Sequence, residues 1–432
     1  MHKQILNIAI PSILTNIAIP LLGLADTAIV GHLGSATYIA AIALGSTLIS
    51  MAYWGFGFLR MSTGGLTAQA FGEANLEKCC QTLLRSLAWA LSIAALLLLF
   101  HRPLVDLALL FAGEDANIKS TATTYFNIVI WGAPAVLMNN SICGWLIGMQ
   151  KARPPLYTAI FQNAINIVFS LILVFGWHLK VEGVALGTLI AQYLGVALAL
   201  YFAIRTAGRS TLWRSVQRLK PSDLLDRKFA SSNRDIFARS MCLLAVTSFF
   251  TFAGARQGET FLAANALLMQ FFLLFSYFMD GFAYAGEALC GKFHGAKEQL
   301  QFQHTVKALF LWGAGLSLLF TCVYAIAGDY LIGLLTDVAD VRAMAHAFLC
   351  YAIAVPLISF AAFLYDGIFI GISATRAMLY AMGSAMALFF ATYFMLPPSN
   401  HTLWVAFLLY LLTRSMVSYI YAQSHLKSVA QK

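Results

Sequence analysis

Twelve apolar stretches, each long enough to cross a bilayer, leave this 432-residue chain few folds to choose from. They fall at about 5–30, 38–60, 81–100, 121–149, 155–177, 183–204, 236–254, 262–285, 304–327, 343–370, 377–396 and 402–421. About 20 residues of helix, rising 1.5 Å each, cross a hydrocarbon core ~30 Å thick. No water reaches backbone groups in that layer, so each stretch is expected to be helical. The second is expected to run on to about residue 71 as one long tilted helix carrying Arg60. The chain is 60% apolar and 10% charged, against about 25% charged residues in soluble domains. That excludes a soluble globular fold. MHKQ followed by the 5–30 run is too long for a secretory signal and lacks an A-x-A site, so it reads as a retained first span. Seven scattered cysteines show no CxxC, metal spacing or disulfide framework.

The net charge of +9 reflects membrane orientation rather than a nucleic-acid partner. With a cytoplasmic amino end, the outer loops hold only Arg102, Lys119, Lys180, Arg256 and Arg342. The inner loops and ends hold the larger share, including a basic run from Arg205 to Arg234, which fits the positive-inside rule. That run marks a linker, giving an amino-terminal bundle over 1–204, a linker over 205–235 and a carboxy-terminal bundle over 236–432. The two bundles echo each other. Pro134, Gly144, Gly148 and Arg153 are matched by Pro356, Gly367, Gly371 and Arg376, and Ala40–Ala43 by Ala263–Ala266, at offsets of 222 to 224 positions. Six spans per copy keep both copies in the same orientation, so their pseudo-twofold axis should run along the membrane normal. The expected fold is all-α and polytopic, with twelve transmembrane helices in two six-helix bundles.

Asp26 is the only acid in the first 72 residues, and it lies about twenty residues into the first span. An ionised carboxylate in hydrocarbon costs at least about 2.5–3.5 kcal/mol, so an acid retained there points to proton or cation handling. Asn166 and Ser170 lie four residues apart on one face of span five, with Asn163 a turn inward. Thr188 in span six and Tyr125 at the outer end of span four reach a similar depth. Pro20 removes a backbone hydrogen bond six residues before Asp26 and marks an expected bend. In the second half, Asp280 and Gln270 of span eight are candidates for contacting substrate, as is Asn140 of span four. Asp366 and Glu287 are expected to pair with inner-face bases such as Arg376 and Lys292.

The runs PSILTNIAIPLLGLADTAIVGHLG, GAPAVLMNNSICGWLIGMQKARPP and QFFLLFSYFMDGFAYAGEAL resemble the multidrug and toxic compound extrusion (MATE) family, nearest its DinF-like branch. The resemblance covers essentially the whole chain. It implies a V-shaped pair of bundles exporting amphipathic, often cationic compounds in exchange for H⁺ or Na⁺. It also implies Asp26 as the proton site, with Asn166, Thr188 and Tyr125 matching the family's span-five asparagine, span-six threonine and span-four tyrosine. The branch commonly carries an acid four residues after that asparagine, where this chain has Ser170. Asp26 would then titrate alone, which weakens Na⁺ coupling.

The expected protein is a monomeric proton-coupled antiporter of a bacterial inner membrane, with both termini cytoplasmic and no cofactor beyond its coupling ion. Its partners are small amphipathic or cationic molecules and membrane lipids. Two alternatives are a Na⁺-coupled exporter of the same fold and a lipid-linked precursor flippase, though the flippase would want more intramembrane bases. A membrane-embedded transferase would need a metal-binding aspartate pair or a nucleophile set. The absence of GxxxxGK[ST] removes ATP as the chain's own energy source.

Overall fold

The computed structural model describes residues 1–31, 36–109, 115–218 and 226–430, and among these every regular element is helical. The first half comprises α1 (His2–Gly31), α2 (Ala36–Trp54), α3 (Phe58–Gly72), α4 (Leu76–Leu99), α5 (His101–Leu109), α6 (Ala116–Val129), α7 (Ala133–Gly148), α8 (Arg153–Leu171), α9 (Val181–Ala207) and α10 (Arg209–Arg218). The second comprises α11 (Arg227–Arg256), α12 (Glu259–Gly295), α13 (Gln299–Leu335), α14 (Ala339–Gly371), α15 (Thr375–Met395) and α16 (Asn400–Ala430). Eleven stretches among the described residues have the length and hydropathy of membrane spans. The 30-residue α1 is long enough to be the twelfth. The chain is a multi-pass membrane protein.

Spans of the first half are interrupted where their residues demand it. The expected single helix from 38 to 71 is instead two helices, α2 and α3, joined by a turn at 55–57. Gly55 and Gly57 flank that turn, and glycine is the weakest helix former after proline. Span four likewise changes register through a 3₁₀ turn at Ile130–Gly132 before α7, where Pro134 takes a first-turn position that needs no backbone donor. Span five ends in a π-helical turn, Ile172–Gly176, one residue beyond Leu171. In the second half, α12 runs unbroken for 37 residues. At 223 positions beyond Gly55 and Gly57 it carries Phe278 and Asp280.

The chain forms two compact units, one of residues 10–230 and the other of residues 1–9 and 231–432. Within each, one helix crossing is set by paired glycines. A Cβ on Gly144 of α7 would lie 2.1 Å from the Arg60 carbonyl oxygen of α3, and one on Gly148 would lie 2.6 Å from the Gly64 oxygen. In the other unit, a Cβ on Gly367 of α14 would lie 2.1 Å from the Ala283 oxygen of α12, and one on Gly371 would lie 2.7 Å from the Glu287 oxygen. All four partner pairs repeat at an offset of 223 residues. The duplication therefore extends from the sequence to identical backbone contacts, of the small-xxx-small kind that lets membrane helices touch.

The basic segment is largely helical, spanning the end of α9, α10 and the start of α11, while residues 219–225 lie outside the described residues. Arg85 of α4 pairs with Asp226 at 2.8 Å, Arg218 pairs with Glu77 at 3.0 Å, and Lys228 donates to the Gln69 side chain at 3.2 Å.

The pairing expected for Asp366 is not the one found. Its carboxylate is held by Arg239 of α11 and Arg414 of α16, all three being buried. Arg376 opens α15 a turn or more beyond the end of α14, whereas Arg239 and Arg414 lie on the helices packed around Asp366. Arg414 also sits over the Phe363 ring, 5.2 Å from its centroid.

Candidate ion site in the first half of the chain

Close packing of α8 on α9 creates the site. A Cβ on Gly187 of α9 would lie 2.3 Å from Ser170 Oγ and 2.8 Å from its backbone nitrogen. Only glycine admits that approach. One turn away along the same pair of helices, Asn166 Nδ2 donates to Thr188 Oγ1 at 2.9 Å. The Thr188 hydroxyl then has its proton free for two acceptors: the Val184 carbonyl at 3.0 Å and Asp26 Oδ2 at 3.4 Å. Asp26 is 5% exposed, and Asn166, Ser170 and Thr188 are buried with it. Tyr125 of α6 is buried beside them, with its hydroxyl in reach of Thr188 and close enough to feel the Asp26 charge. Its ring lies against Gly45 of α2, where a Cβ would meet Tyr125 Cδ1 at 2.7 Å.

Three oxygens of this cluster, Asp26 Oδ1, Asn166 Oδ1 and Ser170 Oγ, are buried without a hydrogen-bond partner among the described residues. An unsatisfied buried acceptor costs on the order of 1–3 kcal/mol, and more when charged. A carboxyl can remove part of that cost by taking up a proton, and several converging hard oxygens can remove it by holding a small cation. A carboxyl placed in this way can take up and give back a single positive charge. Among the described residues no group of three or more His, Cys, Asp or Glu is placed to hold a metal ion.

The remaining predicted residues divide. Asn163 is not among the partners of Asp26. Its Nδ2 donates to the Ala18 carbonyl of α1 at 2.8 Å, tying α8 to the backbone two turns before the acid. Pro20 lies inside α1, which continues through it, and leaves the Asn16 carbonyl without its usual helical donor. Asn140 is half-buried in the same unit. In the other unit, Asp280 is half-buried and within the field of Arg414 and Tyr277, whereas Gln270 is exposed.

Two residues escaped the sequence reading. Gln192 is buried one turn after Thr188 on α9, its amide covering Gly132 and its Oε1 unpartnered in the protein. The i, i+4 spacing from Thr188 was the available signal. Arg414, the second guanidinium on Asp366, sits inside the last span, and no pattern in the sequence links it to residue 366.

The second half lacks a counterpart of the site. At the 223-residue offset, Asp26 and Asn166 become Phe249 and Phe389, and those two rings pack edge to face with centroids 5.9 Å apart. Phe390, Tyr393 and Phe394 complete an aromatic cluster around Phe249. The same helix pairing therefore holds a carboxyl and an amide in one copy and two hydrocarbon rings in the other.

Comparison with known proteins agrees with this architecture. The MatE family model matches the chain twice, over residues 11–172 and 236–394, once in each half. The chain is 37% identical over 423 residues to DNA damage-inducible protein F of Escherichia coli (strain K12), covering 96% of this chain and 90% of that one. It is 25% identical over 369 residues to a probable multidrug resistance protein NorM of Rhizobium meliloti (strain 1021), with 82% and 77% covered. A crystal structure of MATE in the bent conformation superposes with a TM-score of 0.88 at 15% identity, covering 99% of this chain and 96% of that one. An outward-facing multidrug resistance MATE family transporter of the MOP superfamily gives 0.81 at 17% identity, with 100% and 97% covered. Two matches to one family model, one in each copy of a duplicated helical fold, make this chain a member of the MatE family: a MATE multidrug efflux transporter and not an enzyme.

Proposed function

We propose that the protein is a proton-coupled antiporter in which Asp26 is the proton acceptor and amphipathic, cationic small molecules are the exported cargo. The observation that carries this reading is the buried Asp26 carboxyl, which has one oxygen facing the Thr188 hydroxyl and the other unpartnered within the protein. Protonation from the outer side removes the charge, and release to the inner side restores it. The apolar counterpart at Phe249 and Phe389 supports a single coupling site per chain. In the unit of residues 1–9 and 231–432, Asp280 is proposed to draw the positive charge of the substrate, in competition with Arg414, with Gln270 as a polar contact; Asn140 is proposed as a substrate contact of the other unit. The setting would be a bacterial inner membrane with both termini cytoplasmic, as the distribution of basic residues suggests.

A second reading has its own observation. The unpartnered oxygens of Asp26, Asn166 and Ser170 suit Na⁺ as well as a proton. Reconstituted protein loaded with a cationic dye separates the two, tested first with an imposed pH gradient and then with a Na⁺ gradient. Export driven by pH and abolished by Asp26→Asn supports the proposal. Full pH-driven export by Asp26→Asn would overturn the role of Asp26, and export driven by Na⁺ alone would favour the second reading.

A further inference from the structure

The start of α1 and the start of α13 flank an open cavity of about 470 Å³ lined by Met1, His2, Gln301, His304, Lys307, Ala308 and Leu311. It belongs entirely to the unit of residues 1–9 and 231–432, its lining includes none of the Asp26 cluster, and transport as described leaves it unused. Its lining contains no carboxylate, while Lys307, His304 and His2 all bring nitrogen donors.

One of these side chains is held in a defined state. Trp312 Nε1–H is a donor only, and it lies 3.0 Å from His2 Nδ1. The His2 Nδ1 must therefore accept, so the proton of the neutral ring is on Nε2, leaving that N–H to serve as a donor. Trp312 is itself stacked on Phe282, 6.1 Å between centroids, and meets the His2 ring edge to face. Thr305 Oγ1 lies 3.2 Å from Met1 Sδ, which seats the beginning of α1 on α13.

The outward face of α13 gives the cavity its depth. His304 and Lys307 are exposed, and the same face continues through Leu311, Leu318 and Ile326, of which Ile326 is 87% exposed. Basic residues thus occupy the first turns of this stripe, and exposed apolar side chains follow at 311, 318 and 326, about two turns apart on the same face. Such a face places the basic end at headgroup level and the leucines against acyl chains. We infer that this cavity is a binding site for one anionic glycerophospholipid, its phosphate held by Lys307, His304 and the His2 Nε2–H and its acyl chains lying along Leu311 and Leu318. The inference does not depend on the coupling ion or the cargo.

Native mass spectrometry of the full-length protein tests it after exchange into mixed phosphatidylglycerol and phosphatidylcholine. The wild type should retain one phosphatidylglycerol preferentially. Lys307→Gln should lower that retention about fivefold, the effect expected of one basic group at an anionic surface, and His304→Gln/Lys307→Gln should lower it further. Lys151→Gln, a basic residue of the other unit, should leave retention unchanged. The thermal midpoint in detergent should rise with added phosphatidylglycerol for the wild type and not for the double variant, which also reports that the variant is folded. Equal losses in Lys151→Gln and Lys307→Gln would reduce the effect to diffuse surface charge and overturn the proposal. So would displacement of the lipid by millimolar inorganic phosphate, which would identify a free-anion site instead.

Discussion

The Thr188 hydroxyl touches both the acid and the amide of the proposed ion site. Thr188 accepts from Asn166 and faces Asp26 with the same oxygen, so its removal disconnects both neighbours. Thr188→Val keeps the shape and deletes the hydroxyl, stranding the Asn166 amide and one Asp26 oxygen. Hydrogen bonds to charged groups are worth about 1.5–3 kcal/mol, so initial rates of pH-driven dye export should fall about tenfold. In an Asp26→Asn background the same change should add little, because the two residues act as one unit. Independent, multiplicative losses in the double-variant cycle would show that Thr188 works apart from Asp26. Asp26, Asn166, Thr188, Tyr125 and Ser170 were all legible in the sequence as a group, because polar residues in apolar spans stand out. Gln192 was not, because a glutamine near the inner half of a span reads equally well as a tie between helices. The Asp366 pairing was misread for a related reason. Sequence proximity favours Arg376, while α11 and α16 bring Arg239 and Arg414 from 127 and 48 residues away.

At the scale of helices, glycine decides where spans touch and where they break. Gly144 and Gly367 hold the same position in the two copies, each with its would-be Cβ 2.1 Å from a facing carbonyl oxygen. That oxygen is backbone and cannot rotate away, so Gly144→Ala or Gly367→Ala must push two helices apart. Overpacking of this kind costs about 1–3 kcal/mol, and both variants should show lower thermal midpoints in detergent. Gly315 of α13 has nothing within 4 Å of its would-be Cβ, and Gly315→Ala should leave the midpoint unchanged or raise it, since alanine is favoured over glycine inside a helix by about 1 kcal/mol. A Gly367→Ala midpoint equal to that of Gly315→Ala would remove the close crossing from the account. The breaks at 55–57 and 130–132 and the π turn after Ser170 all lie in the copy that carries Asp26. Interrupted spans that line ion sites are a recurrent device in transporters, because they free backbone groups and allow local change of shape. The sequence carries these glycines and Pro134, but hydropathy does not drop at Gly55 or Gly57, so it predicts one tilted helix over 38–71.

In the whole molecule, the two copies have diverged in what they bury. Among the described residues the first buries a lone carboxyl with one unpartnered oxygen; the second buries a carboxylate clamped by two guanidiniums. A clamp of this kind ties α11, α14 and α16 together, so it serves structure rather than exchange. Asp366→Asn would strand two buried positive charges at a cost of about 3–5 kcal/mol. Its thermal midpoint should drop well below that of Asp26→Asn, which removes no paired charge. Replacing the whole triad, Arg239→Met, Asp366→Leu and Arg414→Met, should recover most of the loss, as apolar substitutes for buried ion triads do. A triple variant no more stable than Asp366→Asn would mean the charges do more than hold helices.

The sequence by itself determined the helical class, the spans, the duplication and the presence of a lone acid in the first span, because each is written in hydropathy, spacing or a charge where none belongs. The tertiary structure decided which partners each buried charge has, that Ser170 meets Gly187, and that rings occupy the second copy's equivalent of the Asp26 pair. Those outcomes depend on which helix faces pack together, and residues on different helices carry no local mark of their meeting.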